Sequence, residues 1–178
     1  YAGDINGSSL GGETEAVHLS GSEATLENVR ITDSYWDGFN ISGSSMPTVE
    51  GLNVQRVRNL PYLISQDSDL DHAELSGSQN GIDAIQMQGG NLGGDSSGGG
   101  DRTYNNTILP YIFTTDLTVN AGETLTLAPG VVLKLDNGKF ITLNGTLDAQ
   151  GTTGQPIVLT HERDDTALGD TFNDGDTL

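Results

Sequence analysis

Residues 24–46 read ATLENVRITDSYWDGFNISGSSM, and residues 47–69 read PTVEGLNVQRVRNLPYLISQDSD. When the two segments are aligned without a gap, apolar residues meet apolar residues and Glu27 meets Glu50. The period continues outside them, because a pair of apolar residues separated by one residue recurs at spacings of 22, 23 and 23. The four pairs are Val17/Leu19, Phe39/Ile41, Tyr62/Ile64 and Ile85/Met87.

This repeat predicts stacked β-strands. Apolar residues that alternate with polar ones have the two-residue period of a half-buried strand, and no long stretch shows the 3.6-residue period of a helix. One repeat of about 23 residues then forms one coil of a parallel β-helix, with equivalent strands about 4.8 Å apart. Asn28 and Gly51 align, and both tolerate the left-handed conformation needed at a bend. The predicted fold is therefore an all-β parallel β-helix, or β-solenoid.

The second half of the chain repeats in the same manner. Its short apolar strands are separated by strong turn signals such as APG and DNG. Three apolar pairs recur at spacings of 24, 22 and 24 residues, which predicts a three-sided coil. The predicted partners are Leu117/Val119 with Ile141/Leu143, Leu125/Leu127 with Leu147/Ala149, and Leu133/Leu135 with Ile157/Leu159.

The repeats divide the chain into two consecutive β-helical segments. Residues 1–87 are interpreted as the C-terminal coils of one module, and residues 106–178 as the start of the next. Residues 88–105 read QGGNLGGDSSGGGDRTYN, a Gly-rich composition typical of a linker. The second segment is predicted to carry an Asp-rich loop over residues 161–178.

The charge balance excludes some partners and favours others. The chain has 25 acidic and 7 basic residues, a formal net charge of −18. Such a surface repels nucleic-acid phosphates and anionic lipid, so we expect neither nucleic-acid binding nor membrane insertion. It attracts divalent cations, calcium above all, because hard cations prefer oxygen ligands. The absence of cysteine excludes disulfides, zinc–thiolate sites and cysteine nucleophiles.

Four motifs in the second half resemble those of one family. AGETLTLAPG (121–130), GTLDAQGT (145–152), PIVLT (156–160) and DDTALGDTFNDG (164–175) are similar to right-handed β-helix modules of very large secreted or surface proteins of bacteria. Residues 16–87 look like the pectate-lyase-type coils that end a preceding module. The resemblance implies a right-handed coil and a location outside the cell or on its surface. The fold hosts lyases, hydrolases, adhesins and structural fibres alike.

The first candidate site is the Asp-rich loop HERDDTALGDTFNDGDTL. Calcium loops need several oxygen ligands on a short, tightly turned backbone, and Gly169 and Gly175 permit such turns. Phe172 stands where a calcium loop of this spacing carries Asp or Asn, so a solvated acidic excursion is the alternative. The candidate ligands for a structural calcium ion are Asp164, Asp165, Asp170, Asn173, Asp174 and Asp176.

The second group of candidates lies at a predicted corner of the first-half coil. Exposed aromatic side chains in DSYWDG (33–38) are suited to stacking on a sugar ring, with capping of the core as the alternative role. Arg56 aligns with Asp33, which predicts a surface ion pair of little energetic worth. The candidate glycan contacts are Trp36, Tyr35, Arg56 and Arg58.

No residue is assigned a catalytic role. Glu27 and Glu50 stack one coil apart, and paired carboxylates are what glycoside cleavage requires. Alternation with Leu26 and Val49 nevertheless directs both outward, where water screens them. The three histidines fall at dissimilar places in the repeat.

The leading interpretation is a non-enzymatic structural or adhesive β-solenoid module of a large extracellular bacterial protein. The alternative is a carbohydrate-active module, either a polysaccharide lyase-like or hydrolase-like enzyme or a glycan-binding domain. Solenoid ends expose apolar faces and unpaired strand edges. We therefore expect neighbouring coils of the same long chain, or another copy docked head to tail into a filament, to cover them.

Overall fold

The computed structural model describes residues 4–6, 15–92 and 100–175. These residues form short β-strands and one 3₁₀ turn at His72–Glu74. The strands are β1 (Asp4–Asn6), β2 (Val17–Ser20), β3 (Thr25–Glu27), β4 (Arg30–Thr32), β5 (Phe39–Ser42), β6 (Thr48–Glu50), β7 (Leu52–Gln55), β8 (Tyr62–Ser65), β9 (Leu75–Ser78), β10 (Ile85–Gln88), β11 (Gly90–Leu92), β12 (Arg102–Tyr104), β13 (Tyr111–Phe113), β14 (Leu117–Val119), β15 (Thr124–Leu127), β16 (Val132–Leu135), β17 (Ile141–Leu143), β18 (Thr146–Ala149) and β19 (Val158–His161).

The strands stack in parallel as a β-solenoid of about six turns, which confirms the predicted fold class. One face is a seven-stranded sheet in the order β19-β16-β13-β10-β8-β5-β2, here called the spine sheet. The other two faces consist of β1-β4-β7-β9 and β3-β6 in the first half, and of β11-β14-β17 and β12-β15-β18 in the second. The coils of the second half therefore have three sides, as the spacing of their apolar pairs predicts.

The register of the spine sheet confirms the repeat in the first half. Val17 pairs with Phe39, Phe39 with Tyr62, and Tyr62 with Ile85. The next inward positions stack in step, and Phe39, Tyr62 and Ile85 are fully buried. Burying one such side chain contributes about 1.5–3 kcal/mol. The column of inward side chains therefore forms the continuous apolar core of the solenoid.

One predicted pairing in the second half is wrong. Leu133 pairs with Leu159 and Leu135 with His161, at a spacing of 26 residues, so Ile157 is not the partner of Leu133. The connection between β18 and β19 (150–157) is longer than the equivalent connection between β15 and β16 (128–131). Because the shift is two residues, Leu133 and Leu159 still point to the same side of the sheet. The other two predicted sets of partners are confirmed.

Left-handed backbone marks the corners of the coil. Asn28 and Gly51, aligned by the repeat, have φ values of 52° and 65°, as predicted. A second column lies after strands β4, β7 and β9. It is formed by Asp33, Arg56 and Gln79, at φ values of 60°, 54° and 61°. Few residues other than glycine adopt this conformation, so the coil geometry imposes it at equivalent positions of successive turns.

The segment 88–105 contributes strands to the coil at both ends. Strand β11 (90–92) pairs with β14, and β12 (102–104) pairs with β15. Leu92 and Tyr104 point into the core and are buried. They fix the two ends of the segment to the coil, which its Gly-rich composition does not indicate. Strand β10 meanwhile pairs with both β8 and β13, so the spine sheet crosses this region without a break. Residues 93–99 lie outside the described residues.

The described residues contain no helix that is both long and apolar enough to cross a membrane.

Candidate functional site

The Asp-rich loop folds back across the outer face of the spine sheet. The backbone N–H of Asp83, just before β10, donates to the carbonyl oxygen of Thr171 at 2.8 Å. Asn173 Nδ2 donates to the carbonyl oxygen of Asn80 at 3.0 Å. Since β10 lies three strands from β19 in this sheet, residues 162–175 pass over β16 and β13. We call these residues the acidic strap.

A buried lysine lies beneath the acidic strap. Lys134 projects from the outer face of β16, yet its exposed fraction is 0%. Its Nζ donates to the carbonyl oxygen of Asp164 at 2.7 Å and to that of Gly169 at 3.3 Å. Nζ also donates to Thr171 Oγ1 at 2.6 Å. The ammonium therefore occupies a cage of strap oxygens.

Two opposing effects act on the pKa of Lys134. Burial lowers this pKa, and the negative charges of Asp165, Asp164 and Asp170 partly oppose the shift. Removal from water disfavours the charged amine, while nearby carboxylates favour it. Lys134 thus supplies positive charge inside the most acidic part of the chain.

Three of the predicted calcium ligands come together in the strap. One carboxylate oxygen each of Asp165, Asp170 and Asp174 lies within 4.8 Å of the others. Asp170 also accepts hydrogen bonds from the backbone N–H groups of Asp174 and Gly175, at 3.3 and 3.0 Å. Arg163 Nη1 lies 3.5 Å from Asp174 Oδ2. Three convergent carboxylates are a donor set that suits a hard cation such as calcium.

The other predicted ligands have different partners. Asp164 accepts hydrogen bonds from Thr160 Oγ1 and from both N–H and Oγ1 of Thr166, and these bonds lower its pKa. The amide nitrogen of Asn173 binds Asn80 and lies 3.3 Å from Asp83 Oδ2, so it anchors the strap. Asp176 lies outside the described residues.

The sequence reasoning missed the role of Lys134. The signal was a single charged residue inside the apolar run VVLKL (131–135). A lysine at the outward position of such a strand is ordinarily solvated, because long charged side chains are almost never fully buried unless paired. Only the return of the strap across the sheet gives this lysine its partners.

The structure places three of the four candidate glycan contacts in two pairs on one corner. The guanidinium carbon of Arg58 lies 4.5 Å from the ring centroid of Tyr35, a cation–π distance. Arg56 binds the carboxylate of Asp33 through Nε at 2.9 Å and Nη2 at 2.8 Å, as the alignment predicts. Tyr35 is 48% exposed, and Trp36 at the same corner is half-buried.

The sheet beside this corner carries no carboxylate on β4, β7 or β9. On its outer face, Asn53 Nδ2 donates to Ser76 Oγ at 2.9 Å, and Gln55 Nε2 donates to Ser78 Oγ at 3.4 Å. Amides, hydroxyls and the exposed Arg30, which pairs in register with Asn53, therefore cover this part of an otherwise acidic molecule.

Glu27 and Glu50 pair in register on β3 and β6, and both are exposed. Their outward orientation agrees with the alternation of the sequence. The structure therefore places these two carboxylates in solvent.

No protein-family model, curated protein or solved structure matches this chain. The β-solenoid therefore rests on the strand pairing alone. The likeness to bacterial pectate-lyase-type modules remains a resemblance of motifs.

Proposed function

We propose that this chain is a non-enzymatic structural or adhesive module of a large extracellular bacterial protein. The observation that supports the proposal is the spine sheet, in which seven parallel strands are joined without a break. A stack of parallel ladders around a buried core resists bending and stretching along its axis, because each coil is bonded to the next. Such a rod suits a spacer or a fibre.

The proposal includes contact at the end formed by β17–β19. Leu143 and Leu159 stack on the buried Val119 and Leu133, yet they are 47% and 51% exposed. Apolar side chains at the open face of a solenoid favour another coil. We propose that neighbouring coils of one long chain, or a second copy docked head to tail, cover this face.

Light scattering at rising protein concentration tests head-to-tail docking. We expect the mass to grow with concentration, and the variant Leu159→Asp to suppress the growth. Ile108→Asp is the matched control, because Ile108 is exposed but does not belong to β17–β19. A mass that stays at one chain throughout contradicts docking of a second copy.

We also propose a structural calcium ion held by Asp165, Asp170 and Asp174. The convergence of their oxygens supports this proposal. The alternative is that the cationic side chains of Lys134 and Arg163 balance the strap without an ion, since Lys134 already binds three strap oxygens and Arg163 lies close to Asp174. Calcium titration separates the two.

A glycan-binding role is the second candidate function. The stacking of Arg58 on the exposed ring of Tyr35, beside a sheet of amides and hydroxyls, favours it. Binding to a panel of neutral and acidic polysaccharides, with Tyr35→Ala compared with Ile108→Ala, tests this role. Equal binding by wild type and Tyr35→Ala contradicts it, and release of cleaved product from any glycan contradicts the non-enzymatic proposal.

A further inference from the structure

Two of the three faces of the solenoid are interrupted at the same level. In the described residues, β9 pairs with β7 and β12 pairs with β15, but no ladder joins β9 to β12. In the same way β6 pairs only with β3, and β11 only with β14. The spine sheet alone continues from β8 through β10 to β13. We call this level the junction.

Side chains connect the coils where the ladder is missing. Asn106 Nδ2 donates to the carbonyl oxygens of His72 at 2.6 Å and Leu75 at 2.7 Å. Arg102 Nε donates to the carbonyl oxygen of Gln66 at 3.1 Å. These bonds join the 3₁₀ turn and its neighbours to the segment that enters β13.

The junction also contains buried polar atoms that make no hydrogen bond. Gln66 Nε2 and Asn105 Oδ1 are buried and have no hydrogen-bond partner, and Asn40 Oδ1 is the one further case in the described residues. An unsatisfied buried polar atom costs about 1–3 kcal/mol. Two of these three costs fall at the junction.

Tyr111 determines the protonation state of the buried His72. The hydroxyl oxygen of Tyr111 accepts hydrogen bonds from the backbone N–H groups of Asn105 at 3.2 Å and Asn106 at 3.0 Å. A hydroxyl oxygen has two acceptor sites and one proton. The two backbone N–H groups occupy both acceptor sites, so Tyr111 can only donate its proton to a third partner. That partner is His72 Nδ1, 3.0 Å away. This arrangement requires a neutral His72, with Nδ1 as acceptor and the proton on Nε2.

The surroundings of His72 disfavour its charged form. His72 is 4% exposed, and burial lowers its pKa to about 4. Arg102 on β12 acts in the same direction, while Asp71 on the same turn opposes it. Tyr104 and Tyr111 complete the surroundings with rings 5.8 and 5.5 Å from the imidazole, and burial raises both of their pKa values, so both stay neutral.

We propose that His72 and Tyr111 form an acid-sensitive latch, in which protonation of His72 opens the junction before the coils on either side unfold. An imidazolium carries a proton on Nδ1, and Tyr111 has no acceptor site left to receive it. Within the part of the chain that the structure describes, no carboxylate is hydrogen-bonded to His72 to balance this buried charge. Turning the hydroxyl to relieve this conflict places its proton on an acceptor site now used by the backbone N–H of Asn105 or of Asn106, so one of these two hydrogen bonds is lost.

The pH range follows from the direction of the shift. In an opened junction His72 regains its ordinary pKa of about 6.5, above the folded value of about 4. The open state therefore binds more protons, and the closed state loses stability as pH falls from about 6.5 to about 4. Across this window the opening equilibrium rises about tenfold per pH unit. Asp71 has a lowered pKa, so its own titration contributes only below this range.

NMR of the three histidines in the full chain tests the latch. We expect His72 to show the Nε2–H tautomer at neutral pH and to remain neutral until the pH approaches about 4. Hydrogen-exchange protection factors, which correct for the intrinsic effect of pH, should fall between pH 6.5 and 4 at residues 102–111. Those of β16 should hold in the same range.

The variant His72→Gln keeps a neutral acceptor that acid cannot charge, and it should abolish this pH-dependent loss of protection. His161→Gln is the matched control and should leave the loss unchanged. An Nδ1–H tautomer, protonation of His72 already near its ordinary pKa of about 6.5, or the same loss in His72→Gln overturns the proposal. If His72→Gln does not fold, the tautomer and titration of the wild-type chain still decide.

Discussion

The ammonium nitrogen of Lys134 lies 2.6 Å from Oγ1 of Thr171, and both side chains are shielded from solvent. The two residues belong to different layers, since Lys134 projects from the spine sheet and Thr171 lies in the acidic strap. A buried cation at this place offsets the repulsion among the strap carboxylates. Its hydrogen bonds to Asp164, Gly169 and Thr171 also hold the strap against the sheet.

Replacing Lys134 should loosen the acidic strap. Lys134→Met keeps the length of the side chain but leaves two carbonyl oxygens and one hydroxyl without their donor. We expect a loss of about 1–3 kcal/mol in the free energy of unfolding, because buried acceptors without donors are costly. Urea denaturation measures it. Lys139→Met removes the same charge from the turn before β17 and should change stability by less than about 0.5 kcal/mol.

Calcium should raise the melting temperature if it binds the strap. A ligand at a hundredfold excess over its Kd stabilises the folded state by about 2.7 kcal/mol. We expect chelation to lower Tm in wild type and to have no effect in Asp170→Asn. Asp148→Asn, which removes a carboxylate from β18, should behave as wild type. A Tm that is insensitive to calcium and to chelation contradicts a structural ion and leaves Lys134 and Arg163 as the cations that balance the strap.

A methyl group at Gly81 should not be tolerated. A Cβ there would lie 2.0 Å from the carbonyl oxygen of Arg58, a backbone atom of the preceding coil. We expect Gly81→Ala to reduce the free energy of unfolding by about 2 kcal/mol or more, since the two backbones are held together by the hydrogen bond from the Gly81 N–H to the carbonyl oxygen of Val57 at 2.9 Å. In Gly154→Ala the new methyl group meets nothing within 4 Å. Thermal unfolding of the two variants checks the difference.

The pKa of Asp33 should depend on Arg56. The hydrogen bonds from Arg56 are the largest cause that lowers this pKa below its ordinary value. The pair therefore adds stability above the ordinary pKa of an aspartate and loses it as pH falls through the lowered one. NMR titration should show the pKa of Asp33 rising in Arg56→Gln. In Arg58→Gln it should stay where it is, because Arg58 stacks on Tyr35 instead.

The repeat in the sequence was sufficient to predict the strands and most of their registers. A strand side chain faces either the core or the solvent, so a shift of one residue would turn every apolar side chain outward. Val17, Phe39, Tyr62 and Ile85 therefore had one consistent way to stack. A shift of two residues leaves every side chain on the same face, so the argument does not detect it. For this reason the predicted partner of Leu133 is wrong.

The candidate sites depend on contacts between residues that the sequence repeat does not place in equivalent positions. Asn173 binds Asn80, ninety-three positions earlier, and His72 binds Tyr111 across thirty-nine. The sequence shows which oxygen-bearing residues are near one another along the chain, but it does not show where their side chains point. It therefore could not separate Asp165, Asp170 and Asp174, whose oxygens converge, from Asp164 and Asn173. The coil itself was determined by local alternation and repeat length. The strap over Lys134 and the latch at the junction were decided by tertiary structure, since a buried polar group must take whichever partner the packed chain brings within hydrogen-bond distance.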